Sequence, residues 1–424
     1  MATVIPFRAV RYNLGRYGRD ITRFVAPPYD VIDRPMERRL KEDRLNITHI
    51  TLGGEDDKYA VAARRLKRWL EDEVLVCESE DCFFAYEQTF TTPEGGQRIR
   101  SGIIGLVKLE DFSEGNVMPH EKTIPKHKAD RLELMRAVEG DIEQIFLLYD
   151  DPAGHLESLL AETKKKEAEM VFSDSESVRH RIIRIADPAK IDAIKKAFKP
   201  VKLLIADGHH RYETALELRK EMRAKGGAHD GMACDYVLAT LVSFRNPGLV
   251  VYPTHRLIQK VEGALLKDLP ARLGEEFDLT KCESADKLAS AVEHAKGKAF
   301  GVWILDPETY LFAAPKNPKP AANPIEDLPV WIVQDRVLKR LLGYSDHMLD
   351  TKVNIEYVKG TGPTKELMES GEYQACFFVK PPTVDQVMAV AQTGQKMPHK
   401  STYFFPKIWS GPLLYMFDGH PVKR

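Results

Sequence analysis

The chain has 424 residues, 43% of them hydrophobic and 29% charged, with 62 Lys and Arg against 63 Asp and Glu. A net charge of −1 excludes a chain-wide attraction to nucleic acid or to an anionic membrane, leaving only a local basic patch open. No apolar run approaches the roughly 18 residues of a membrane-spanning helix, and the opening Met1–Pro6 lacks the pattern of a signal peptide, so a cytoplasmic protein is expected.

In chain order, Ala26–Ile32 holds Pro27 and Pro28 and reads as an extended segment presenting Tyr29 and Asp30. Residues 57–71 place Tyr59, Ala62, Ala63, Leu66, Trp69 and Leu70 on one helical stripe. Runs 82–91 and 97–109 flank Pro93-Glu94-Gly95-Gly96 and read as a hairpin. The polar stretch from Met118 to Arg131, with His120, Glu121, Lys126 and His127, reads as a loop, followed by a short helix over 128–138 and a buried strand over 142–149. Helices are expected over 156–171 and 188–198, with a strand between them at 178–186. The apolar run Val201–Ile205 is a further strand, 232–243 looks helical, and Leu249–Tyr252 is a short strand. Two helical stretches and a strand pair around Asp306–Glu308 form an expected subdomain over 261–324, closed by the proline-rich run 315–320. A helix over 328–342, a strand over 373–379 and a helix over 382–391 complete the pattern. The five cysteines, Cys77, Cys82, Cys234, Cys282 and Cys376, are scattered without CxxC spacing, which points to reduced thiols.

This order of strands and helices implies a mixed α/β fold built on a mixed sheet. The expected organisation is a core over 1–260, an inserted subdomain over 261–324, and a C-terminal segment over 325–424 that returns to the core.

The most chemically dense segment is Ala206–Ala215, ADGHHRYETA, between the strand at 201–205 and a helical pattern. Helix N-termini present amides without intrahelical acceptors and favour anions. Asp207, His209, His210 and Arg211 crowd that point, and Gly208 permits the backbone a tight turn needs. Singly, each has an ordinary explanation: Asp207 as a cap, His210 as packing, Arg211 as a solvated charge. Their coincidence is what reads as a site. Val358–Lys365 lacks the spacing of a phosphate loop and reads as a turn.

Four motifs in order, Ala26–Ile32 (APPYDVI), His120–Thr123 (HEKT), Ile205–Ala215 (IADGHHRYETA) and Met397–Lys407 (MPHKSTYFFPK), resemble the domain of unknown function 1015 family over nearly the whole chain. That family is similar to the ParB and sulfiredoxin superfamily, whose members use a comparable Asp-Gly-His-Arg turn before a helix. Some of those relatives are free serine kinases, and others bind nucleotides or DNA. The resemblance therefore implies phosphate handling.

Phosphoryl transfer needs positioning, charge neutralisation and a carboxylate to orient the acceptor hydroxyl. The expected catalytic groups are Glu121, Asp207 and His210. Gly208, His209, Arg211, Lys400, Ser401 and Thr402 are the expected phosphate and nucleotide donors, with further donors from Lys126 and Arg131. Tyr29, Asp30 and His120 are assigned to the substrate, and Asp207 and Glu121 to a magnesium ion carried with ATP or ADP. The function expected is a phosphotransferase acting on a small hydroxylated metabolite, free serine first. Two rivals stay open: a nucleotide-sensing or DNA-binding regulator, against which the neutral charge and missing helix-turn-helix speak, and a metal-dependent hydrolase drawing on His120, Glu121, His127, Asp207, His209 and His210, against which the absence of HExxH speaks. Oligomeric state is not legible.

Overall fold

The hairpin forms around residues 93–96, with Phe83–Thr91 antiparallel to Gln97–Lys108 and Thr91 opposite Gln97. The computed structural model describes residues 2–53, 57–93, 95–121, 125–226, 231–317 and 319–417, and of 125–127 the backbone alone. The chain divides into two units: the first takes 1–119, 123–249 and 406–424, and the second takes 120–122 and 250–405. The segment 261–324 falls within the second unit together with 325–405, while 406–424 belongs to the first.

The first unit is built on a nine-stranded mixed sheet. Its strands are β1 (Val4–Ile5), β2 (Phe83–Thr91), β3 (Gln97–Lys108), β4 (Val117–Met118), β5 (Ile145–Tyr149), β6 (Met170–Ser173), β7 (Arg179–Ile185), β8 (Leu203–Asp207) and β9 (Tyr236–Ser243). They lie in the order β4-β8-β5-β9-β3-β2-β7-β6, with β1 on β3. The β8–β4 and β9–β5 pairs are parallel and the others antiparallel.

Because side chains alternate along a strand, the sheet has two distinct faces. Phe83 and Ala85 of β2, Ile103 and Val107 of β3, Ile145 and Leu147 of β5, Leu203 and Ile205 of β8, and Val237 and Ala239 of β9 enter one apolar core. Helices His155–Thr163 and Pro188–Phe198 close it with Leu160, Ile194 and Phe198. The alternate positions carry Tyr86, Gln88, Arg100, Gln144, His180 and Thr240, all buried. Buried polar groups need partners, and most of these atoms find them, Arg100 Nη1 and Gln144 Nε2 being exceptions among the described residues. Tyr86 Oη lies 2.7 Å from His180 Nδ1, Arg100 Nε donates to Gln88 Oε1 at 2.9 Å, and Gln88 Nε2 donates to the Lys407 carbonyl at 2.9 Å. Residues 406–407 thus belong to the polar face of the sheet.

Five sequence expectations are corrected by the structure, the first being the loop over 118–131, which gives way to helix Pro125–Val138. Residues 232–243 are not helical: after a short turn, Tyr236–Ser243 is the strand β9, buried throughout between β3 and β5. An apolar run buried on both faces has no period to betray it. The helix from 156 ends at Thr163, and Met170–Ser173 pairs instead with β7. Tyr29–Val31 is a single 3₁₀ turn, not an extended segment. Val358–Lys365 is the end of a strand, a turn at Gly360 with φ of 77°, and the start of helix Thr361–Glu369.

The second unit holds a six-stranded, wholly antiparallel sheet of β10 (Thr254–Ile258), β11 (Phe277–Lys281), β12 (Phe300–Ile304), β13 (Thr309–Pro315), β14 (Ile355–Lys359) and β15 (Ala375–Val379), ordered β11-β13-β12-β15-β10-β14. One core gathers Leu269, Phe300, Val302 and Phe377, and another gathers Leu288, Trp303, Met368 and Phe378. A ribbon pairs Val250–Tyr252 with Tyr403–Phe405, Val250 facing Phe405. All five cysteines are free thiols. Among the described residues no helix is long and apolar enough to cross a membrane.

Two outcomes follow from this packing. A Cβ on Gly102 of β3 would sit 2.7 Å from the Leu241 carbonyl of β9. Gly102→Ala is therefore expected to lower stability by about 1–3 kcal/mol, read as a shifted urea midpoint. Asp141 is buried and accepts the Leu238 N–H at 2.9 Å. Burial pushes its carboxyl up to about 7, opposed by the Leu238 amide and Arg211 and assisted by Glu143. A carboxyl whose folded pKa lies above its unfolded value binds more protons when folded, so its contribution is greatest in acid. It declines as pH rises from about 4 through about 7. The stability of wild type relative to Asp141→Asn should fall across that window and level off above it; a flat difference would remove the assignment.

Candidate functional site

The turn at Asp207 is shaped by its neighbours on both sides. The pairing of β8 with β5 slips between Ile205 and Asp207, so that Asp207, not Ala206, faces Phe146. Such an irregularity re-aims a side chain at the end of a strand. Gly208 follows with φ of +92°, a conformation that an L side chain rarely adopts. A Cβ there would also meet the Arg211 guanidinium at 3.1 Å. Helix α1 of the site, His209–Gly226, then begins, with the Tyr212 amide bonding the Gly208 carbonyl. Tyr212 fixes this start: its hydroxyl donates to the Glu110 carbonyl at 2.9 Å, and its ring stacks on Phe112.

Asp207 Oδ1 accepts the Gly208 N–H at 2.9 Å, while Oδ2 lies 3.1 Å from Lys407 Nζ and 4.0 Å from Arg211 Nη2. Arg211 is buried, and its Nη1 donates to the Gln144 carbonyl. Burial alone would depress this guanidinium, but Asp207, Glu143, Asp30 and Tyr29 outweigh it and raise its pKa. Arg100 is buried nearby, stands over the Phe146 ring at 4.6 Å, and is pushed down to about 9 by burial, opposed by Tyr86 and Asp207. Among the described residues its Nη1 has no hydrogen-bond partner.

Tyr29 joins the same network. Its amide donates to Glu143 Oε1 at 3.3 Å, and the Arg131 guanidinium lies 4.1 Å over its ring. Arg131 Nη1 donates to Glu143 Oε2 at 3.1 Å, and both side chains are buried. Asp130 extends the chain of charges, accepting from Arg131 Nε at 3.0 Å and from Tyr59 Oη at 3.0 Å, with Lys58 also on its carboxylate. Burial raises the Asp130 carboxyl, but Lys58, Arg131 and Tyr59 more than offset it and hold it at about 2. Tyr29 is raised by burial, Asp30 and Glu143 against the pull of Arg131 and Arg211. Tyr29, Asp30, Asp207, Gly208 and Arg211 are thus one electrostatic group within the first unit. His209 is buried and His210 half-buried on the same turn.

His120, Glu121, Lys400, Ser401 and Thr402 belong to the second unit and are tied to one another. Glu121 Oε1 accepts the Lys400 amide at 2.5 Å, and Lys400 takes φ of 54°. His120 Nε2 lies 2.9 Å from Thr402 Oγ1, and the Met397 amide donates to the His120 carbonyl at 2.7 Å. The Ser401 hydroxyl donates to the Pro398 carbonyl at 2.6 Å. Arg256, fully buried, braces this loop by donating to the carbonyls of His399 at 3.3 Å and Lys400 at 3.2 Å. Lys122, Thr123 and the side chains of Lys126 and His127 lie outside the described residues.

Sequence reasoning did not nominate Lys407, Arg100, Glu143, Asp141 or Arg256. Lys407 stood inside a quoted motif, so a signal existed. Arg100 and Arg256 each sit alone in a β pattern, where an arginine ordinarily marks a solvated face, and nothing in the sequence marks them as buried. Among the described residues, no three His, Cys, Asp or Glu side chains gather as a metal site.

The chain is similar to several solved structures at low identity. One is a free serine kinase mutant in complex with ADP, at 15% identity and a TM-score of 0.39, covering 74% of this chain and 90% of that one. A conserved hypothetical protein from Pyrococcus furiosus gives 18% and 0.37, covering 71% and 92%. SbnI with a C-terminal truncation from Staphylococcus aureus gives 9% and 0.35, covering 73% and 87%. No curated protein matches the chain. The family model described as protein of unknown function (DUF1015) matches residues 4–332, a span that holds the first three of the four motifs, and the chain belongs to the DUF1015 family.

Proposed function

We propose that the protein is a phosphotransferase that uses ATP or ADP, carried with magnesium, to phosphorylate a small hydroxylated metabolite, with free serine the first acceptor to test. The observation that carries this reading is the placement of the Asp207 carboxylate at the N-terminus of an 18-residue helix, 3.1 Å from Lys407 and 4.0 Å from Arg211. Phosphoryl transfer asks for this combination: amides and a helix dipole to favour the phosphate, cations to share its charge, and a carboxylate to hold the acceptor hydroxyl.

In this reading the incoming phosphate takes Lys407 as its partner, which frees Asp207 Oδ2 to orient the acceptor hydroxyl and accept its proton late in the transfer. Arg211 is held by the Gln144 carbonyl and keeps its place whether or not Asp207 is engaged. Gly208 lets the phosphate approach the backbone, and His209 and His210 supply further donors. Tyr29 and Asp30 are assigned to the acceptor. The base role offered to Glu121, and the phosphate contacts offered to Lys400, Ser401 and Thr402, rest on their motifs.

The test is nucleotide turnover by the purified chain with magnesium and a panel of free hydroxy amino acids. Acceptor-dependent release of AMP or ADP is expected, and no turnover with any acceptor would overturn the reading. Asp207→Asn should lower kcat by roughly a hundredfold or more while the melting temperature stays within a few degrees. Lys407→Ala should mainly raise KM for the nucleotide, by about tenfold for one lost charged contact. Glu121→Gln tests the other carboxylate in the same assay. A separate outcome concerns Gly208→Ala, which combines a φ of +92° with a Cβ 3.1 Å from Arg211. It should cost about 1–3 kcal/mol of stability and lower turnover together, whereas a silent variant would show that the turn is not held tightly.

A further inference from the structure

The helix Lys58–Glu71 is amphipathic, and it buries Ala62, Leu66 and Trp69 of the stripe its sequence implies, with Tyr59, Ala63 and Leu70 half-buried. One residue on the flank of that stripe breaks the pattern. Arg65 is half-buried, one turn after Val61 and one turn before Trp69. Among the described residues neither Arg65 nor Arg44 has an acidic partner. Charged side chains withdrawn from water are ordinarily paired, so an arginine left without a counter-ion calls for a reason.

The space in front of Arg65 supplies one. A groove of about 620 Å³ opens there, walled by Arg44, Arg64, Arg65 and Arg68 with His49 and Trp69, and floored by apolar side chains including Val61 and Leu45. Asp72 is the one carboxylate among the lining residues, and it is engaged by Arg68 at 3.2 Å. Arg64 lies 3.9 Å from Asp57, and the neighbouring Asp43 lies 3.5 Å from Arg23. These pairs are largely exposed and weak, so they leave the guanidinium groups available. The groove is of the size that takes a small organic ligand. It pairs planar cationic forks suited to phosphate oxygens with an indole and aliphatic wall suited to an organic body.

We propose that this groove is a second binding site of the first unit, which takes a phosphorylated small molecule of about nucleotide size. The phosphate meets Arg44 and Arg65, Arg64 and Arg68 rim the opening, and the organic body lies against Trp69 and Val61. The site shares no residue with the turn at Asp207 and does not depend on the reaction proposed for it.

Trp69 makes the test local. ADP, pyrophosphate and citrate are titrated into the full chain while tryptophan fluorescence is followed in wild type, Trp69→Phe and the double variant Arg44→Ala/Arg65→Ala. ADP and pyrophosphate are expected to change the emission of wild type, and Trp69→Phe to abolish that change. The double variant should bind at least tenfold more weakly, with an unaltered melting temperature because neither arginine holds the fold. Arg65→Lys should recover part of the affinity. The proposal is overturned if the change persists without Trp69, if the double variant binds as wild type does, or if citrate binds as tightly as pyrophosphate. Loss of nucleotide turnover in Asp207→Asn with this signal intact would separate the two sites.

Discussion

A guanidinium without water is the constraint around which the first unit is arranged. Arg211 lies in the interior on the first turn of its helix, and burial of a charge is tolerated only with partners of opposite sign and satisfied donors. Three segments meet that demand, two of them distant in sequence. The bulged end of the strand brings Asp207, the prolyl segment brings Tyr29 and Asp30, the stretch after Val138 brings Glu143, and the backbone of Gln144 takes the hydrogen bond. Arg131 shares Glu143 and covers the Tyr29 ring, so two arginines and their carboxylates are mutually dependent. The chemistry proposed for the turn rests on this arrangement. A carboxylate can serve a substrate only if something else continues to hold the cations in place.

The parts of this arrangement that are local in sequence were legible there. The strand, the turn glycine and the helix at 201–226 follow from an apolar run, a residue that tolerates positive φ, and helical periodicity. The hairpin at 93–96 and the helix at 188–198 were legible for the same reason, since Asp187 and Pro188 together mark a helix start. What escaped were facts of burial. β9 reads as a helix because both of its faces are covered and no alternation survives. Arg100 and Arg256 look like solvated charges because one sequence does not show which face of a sheet another segment will cover. The Lys407 contribution depends on residues 406–407 lying along the polar face of β2 and β3, a pairing across about three hundred residues that no local pattern encodes.

The polar half of the sheet explains why those distant residues matter. A sheet face that buries Tyr86, Gln88, Arg100 and His180 cannot be closed by an apolar helix without stranding their donors and acceptors. A strip of backbone carbonyls closes it instead, and the carbonyls of Pro406 and Lys407 serve Arg100 and Gln88. Lys407 is thereby anchored through its main chain while its side chain reaches Asp207. Position and charge are supplied by the same residue through different atoms.

The ribbon that pairs Val250 with Phe405 also governs how a long excursion of the chain is accommodated. Closing a flexible loop of that length imposes an entropic penalty on whatever fold it interrupts, and the penalty grows with the logarithm of the loop. Once the ribbon has zipped, the excursion leaves and rejoins at points one strand spacing apart, about 5 Å. To the segment that follows Phe405, more than a hundred residues then weigh no more than a tight connection. Such a boundary leaves the returning segment nearly free of that penalty, so Pro406 and Lys407 can reach the polar face of a sheet whose last strand ended at Ser243.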